Sequence, residues 1–134
     1  MDTLEESQVS VPKLESIFKA AFMQCSIDKD GDLKIEDGGL KVFVKVNPEN
    51  KVVTFFSIWG LKPGNDAKKM TFINKLNNEY RLVRFCMPRP DKLWCDYQLL
   101  YEGGVIPYQI VNTCRLFIRV CKGIVTDDTD DLIA

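Results

Sequence analysis

The chain has 134 residues, 46% of them hydrophobic and 28% charged, which suits one globular domain that buries about two-thirds of its unfolded surface. Its net charge of −1 leaves no broad basic field for nucleic acid, and no apolar run approaches the roughly 20 residues of a membrane helix. Histidine is absent, which excludes Ser-His-Asp and Cys-His relays and histidine metal sites, and lowers the prospect of an enzyme.

Residues 1–9 are polar and expected to be flexible. Their start, Met1-Asp2-Thr3-Leu4-Glu5-Glu6, is acidic and unlike a secretory or transit signal, so a cytoplasmic location is expected. Ser10 can cap a first helix with Pro12 in its first turn. Val11, Leu14, Phe18, Ala21, Phe22 and Cys25 recur at spacings of three and four as one apolar stripe.

Asp28-Lys29-Asp30-Gly31-Asp32 then imitates the opening of a calcium loop. Such a loop needs oxygen ligands at positions 1, 3 and 5, Gly at 6 and Glu at 12. Counted from Asp28, Leu33 takes the glycine position and Gly39 the glutamate position. Counted from Ser26, Gly31 fits, but the first carboxylate is missing and Asp37 stands at 12. Residues 40–46 alternate like a strand rather than forming a second helix, so an acidic turn into a β-meander is expected, with no metal.

Leu33 and Ile35 mark a first strand. Leu40, Val42, Val44 and Val46 alternate with Lys41, Phe43, Lys45 and Asn47 in a second, and residues 51–60 form a third. The turns Asp37-Gly38-Gly39 and Asn47-Pro48-Glu49-Asn50 make these antiparallel. A second helix runs from Asn65 or Asp66 to about Tyr80, with Met70, Ile73, Leu76 and Tyr80 on its apolar side. A second hairpin, 81–87 and 93–101, surrounds Pro88-Arg89-Pro90-Asp91. A third helix starts near Pro107, carries Ile110, Cys114, Phe117, Ile118 and Cys121 on one face, and ends at Gly123. The acidic segment 126–134 is expected to be a flexible tail.

The order α-β-β-β-α-β-β-α implies an α+β fold, a five-stranded antiparallel sheet with three helices on one face, within a single domain over 10–125. Cys25, Cys86, Cys95, Cys114 and Cys121 show no C-x-x-C spacing and read as reduced, mostly buried thiols, with a redox pair of Cys86 and Cys95 as a minor alternative.

This order and its punctuation resemble the YbjN family of bacterial sensory transduction regulators over roughly residues 10–123. The carriers are Asp30-Gly31-Asp32-Leu33, Ile58-Trp59, Asn74-Lys75-Leu76-Asn77, Arg84-Phe85 and Glu102-Gly103-Gly104-Val105. Pro107 departs from the pattern, where a polar helix cap would be commoner. The resemblance implies the fold of type III secretion chaperones, and it carries no active site or cofactor to transfer.

On the second and fifth strands the lysine-bearing face also holds Phe43 and Trp94. The third strand is apolar on both sides, and its Phe55 and Trp59 are assigned to that outward face as well. A sheet covered on one side should be polar on the other. Phe43, Phe55, Trp59 and Trp94 therefore form the candidate partner-binding set, rimmed by Lys41, Lys45 and Lys92.

The expected function is a non-enzymatic protein-binding or regulatory module of the YbjN type, a homodimer or a binder of an unidentified protein. The alternatives are a chaperone for an unfolded secreted effector, a calcium-responsive protein using Asp28, Asp30 and Asp32, and an enzyme using Asp96 and Glu102, whose spacing makes no pair.

Overall fold

In the computed structural model, which describes residues 2–134, Ser10 caps helix α1 (Val11–Ala20) by accepting the Lys13 N–H at 3.3 Å. The helix ends early. Phe22 adopts a left-handed conformation at φ 63°, and two crossed bonds, Met23 N–H to Phe18 C=O and Phe22 N–H to Lys19 C=O, close a Schellman motif. The motif turns the chain back before the apolar stripe is complete. Cys25 therefore lies on strand β1 (Gln24–Ile27), and Phe22 is 98% exposed.

The acidic turn joins β1 to β2 (Leu33–Asp37) as a hairpin. Asp28 Oδ1 accepts the Asp30 and Asp32 N–H groups at 2.9 and 3.0 Å, so this carboxylate serves the turn. Strands β3 (Leu40–Asn47), β4 (Val52–Gly60), β5 (Arg84–Arg89) and β6 (Lys92–Leu100) complete an antiparallel sheet in the order β1-β2-β3-β4-β6-β5. The sheet has six strands rather than the expected five. Strand β1 was hidden because it is only four residues long and its Cys25 continues the helical spacing of the stripe before it.

Helices α1, α2 (Asp66–Glu79) and α3 (Pro107–Asp127) cover one face. One core joins Leu14 and Phe18 of α1, Leu76 of α2 and Ile110, Phe117 and Ile124 of α3 to Val42, Val44, Val53, Phe55, Leu93 and Cys95 of the sheet. Met70 is 58% exposed, and Phe72 takes its expected place on the buried side of α2. Lys69, 2% exposed, donates from Nζ to the Pro90 carbonyl at 2.7 Å and ties α2 to the β5–β6 turn.

Both ends dock. Leu4 is buried and pairs with Val105, where a Cβ on Gly104 would meet Thr3 at 2.9 Å. Helix α3 runs through Gly123 to Asp127 rather than ending there, and a Cβ at 123 would meet Tyr80 Oη at 2.6 Å. Asp128 accepts the N–H groups of Leu132 and Ile133 at 2.8 Å each, Leu132 is buried, and Ile133 pairs with Leu61. Among the described residues, Leu4 and Val9 of the segment expected to be flexible at 1–9, and Leu132 of that at 126–134, are buried against the core.

Candidate functional site

Beyond the helices, the other face of the sheet stands open. Backbone pairing decides what it displays. The β3–β4 turn spans four residues, Pro48 to Lys51. Asn47 Oδ1 holds it by accepting the Glu49 and Asn50 N–H groups at 3.1 Å each, and Lys51 takes the left-handed conformation. The closing pair Asn47–Val52 sets Phe43 opposite Phe56. Beyond β4, Ile58 lies opposite Trp94 and Phe56 opposite Asp96.

Phe43, Phe56 and Trp94 therefore stand in a row across three strands. Phe43 and Phe56 stack with ring centroids 5.4 Å apart, and Phe56 and Trp94 at 4.6 Å with 11° between their planes. Such pairs contribute about 0.5–1.5 kcal/mol each beyond the area they bury. Phe56 is only 6% exposed although no helix covers it; Phe43 and Trp94 are half-buried. Ile58, 46% exposed, extends the apolar surface, and Lys45 Nζ lies 5.3 Å from the centre of the Phe56 ring.

A polar clamp fixes one end of the row. Asp96, 4% exposed, accepts the Trp94 indole N–H at 2.7 Å and the Arg84 guanidinium at 2.6 and 3.3 Å. The same hydrogen bonding to Asp96 raises the Arg84 pKa above its ordinary value. A charge-assisted network of this kind holds the indole in one orientation.

Of the four expected site residues, the structure brings Phe43 and Trp94 together and places the other two elsewhere. Phe55 is completely buried in the core, and Trp59 packs against that core from the helix side. Phe56 and Ile58 take their places on the open face. The third strand is apolar on both sides and gives no parity of its own, and one residue more or less in the preceding loop reverses every side chain. The turn held the missing signal: a four-residue loop pairs Phe43 with an even-numbered residue, hence Phe56.

The other chemical candidates separate. Cys86 lies opposite Trp94 on the open face, whereas Cys95 points into the core, so this pair is on opposite sides of the sheet. Cys95 instead faces Cys121 with the sulfurs 3.7 Å apart, and burial raises the pKa of its thiol. Burial pushes Cys114 up to about 12. All five cysteines are free. Asp96 is committed to its clamp, while Glu102 is exposed in the turn after β6. Among the described residues no three His, Cys, Asp or Glu side chains gather as a metal site, and no helix is long and apolar enough to cross a membrane.

The sequence model of the YbjN family, described as "putative bacterial sensory transduction regulator", matches residues 10–127. The chain belongs to the YbjN family. No curated protein matches it. Among solved structures, the fold is similar to E. coli YbjN, described as a "putative transcription regulator", with a TM-score of 0.77 and 14% identity over 94% of this chain and 96% of that one. It is also similar to the Yersinia pestis type III secretion chaperone SycH, solved in complex with a stable fragment of YscM2, with a TM-score of 0.58 and 14% identity over 87% and 98% of the two chains. The chaperone-like fold expected from sequence is therefore present, and the family to which the chain belongs is described as regulatory.

Proposed function

We propose that this protein is a non-enzymatic regulatory module that works in the cytoplasm by binding a protein partner on the open face of its sheet. One observation carries the reading. Three strands place Phe43, Phe56, Ile58 and Trp94 on the uncovered side, and a buried carboxylate holds the indole in place. Rigid aromatic anchors with a polar rim are what interface centres are made of. The SycH neighbour was solved with a protein fragment bound, which suits a fold that presents polypeptide-binding surface. In an affinity capture compared side by side, the wild type should retain a partner that Phe43→Glu, with unchanged circular dichroism, releases. Equal retention by the two proteins would place binding elsewhere.

A second reading, self-association as a homodimer, is favoured at a different surface. One of the two edges of the sheet is β1, Gln-Cys-Ser-Ile, with no charge or proline to block pairing. Beside it, Phe22 is nearly fully exposed and holds a left-handed conformation that suits glycine better. Two-fold pairing of β1 edges would cover both. Light scattering should then report a dimer that Ser26→Lys converts to monomer, whereas a wild-type monomer at high micromolar concentration would remove this reading.

A further inference from the structure

The open face is charged as well as aromatic. Its outward strand positions hold Lys34, Lys41, Lys45, Arg84, Arg89 and Lys92 against two carboxylates, Glu36 and Asp96. That is a net of +4 in a chain whose net charge is −1, so the rest of the chain carries −5. Both carboxylates are already engaged, Glu36 by Lys34 at 3.0 Å and Asp96 by Arg84 at 2.6 Å. Arg89 leans on Asp91 of the adjoining turn at 3.7 Å. Lys41, Lys45 and Lys92 form no ion pair among the described residues. These three flank the aromatic row: Lys41 and Lys45 lie two residues either side of Phe43, and Lys92 two before Trp94.

This arrangement discriminates between occupants. A second copy docked face to face would bring cations against cations, and like charges across an interface reject a partner. A single-stranded nucleic acid would need free ring faces on which to stack its bases. Here Phe56 is enclosed between Phe43 and Trp94, so the row spends its inner faces on itself. An extended or helical polypeptide needs only the ring edges and the adjoining Ile58. We propose that the partner is an acidic polypeptide segment, whose apolar side chains cover Phe43, Ile58 and Trp94 while its Asp and Glu carboxylates meet Lys41, Lys45 and Lys92.

The proposal rests on the reading of this face as the partner site, and one experiment separates the two. A display library of random 16-residue peptides is panned on the intact wild-type protein. Enriched peptides are then measured against Phe43→Glu and against Lys41→Glu/Lys45→Glu/Lys92→Glu, the latter changing only half-buried or exposed side chains. Fold is checked by circular dichroism. Enriched sequences should combine Asp or Glu with aromatic or aliphatic residues. Their affinity should fall at least about tenfold in the triple lysine variant, and should weaken as salt rises from about 0.05 to 0.5 M. Neutral or basic peptides that bind the triple variant equally but not Phe43→Glu would overturn the acidic chemistry while keeping the site. Peptides indifferent to both variants, or no enrichment at all, would overturn both. Tighter binding of a 20-nucleotide oligothymidine than of any enriched peptide would overturn the choice of a polypeptide.

Discussion

The two faces of the sheet are made from the same strands by different means. On the helix side, Phe55 is completely buried in a core of apolar side chains contributed by helices and strands alike. On the open side, Phe56 reaches 6% exposure through two neighbouring rings and a lysine. The helix face is where the chain stores its stability. The open face is an organised surface whose rings are held by one another and by Asp96, an orientation that under the proposed function would lower the entropy lost on association. Adjacent residues of one strand thus face the core and the open surface, and under the proposed function they serve folding and recognition separately.

The sharpest way to break this comparison is to truncate both neighbours. Phe55→Ala should cost about 3–5 kcal/mol, the range for a phenylalanine lost from a close-packed core. Phe56→Ala should cost less, about 2–3 kcal/mol, because its burial and stacking are lost but water can fill the space on an open face and no enclosed cavity is left. Urea denaturation followed by circular dichroism gives both numbers, and equal losses would mean that the open face is core in its own right.

A smaller effect is expected at alkaline pH, and it belongs to the helix side. The Tyr80 hydroxyl donates to Asp127 at 2.5 Å, and this bond, with burial, raises its pKa from 10.0 to about 12. Burial does the same to Cys114, from 9.0 to about 12. The folded state keeps these protons while the unfolded chain releases them, so the stability they confer is present below pH 9–10 and is lost as pH rises to about 12. In Tyr80→Phe the decline should be shallower. An unaltered decline would show that the hydroxyl has no share in it. Partner binding should survive this substitution, since Tyr80 lies away from the open face.

Much of the fold was legible in the sequence. Helix caps, turn residues and alternating strands gave the element order and the antiparallel sheet. What escaped was set by tertiary context. Phe22 stops α1 in a conformation that its residue type disfavours, so nothing local announced β1. The ends looked polar because few apolar residues, Leu4, Val9 and Leu132, are buried from them. At the candidate site, Phe43 and Trp94 were legible because their strands alternate cleanly with lysines. Phe55 and Trp59 were misplaced because β4 is apolar on both sides and only the Asn47–Val52 closure fixes its parity. Asp96 read as a weak catalytic candidate, and its bond to a side chain two residues earlier on the same strand became visible only with the rotamers in place.

Trp94 offers the most direct test that the open face is where a partner sits. In a Trp59→Phe background it is the sole indole, and acrylamide quenching of its emission reports access to the aromatic row. Adding a captured partner or an enriched peptide should shield Trp94 from acrylamide and shift its emission to the blue, with the far-ultraviolet dichroism unchanged. A ligand that binds at saturation and leaves Trp94 as accessible as before would contradict the account.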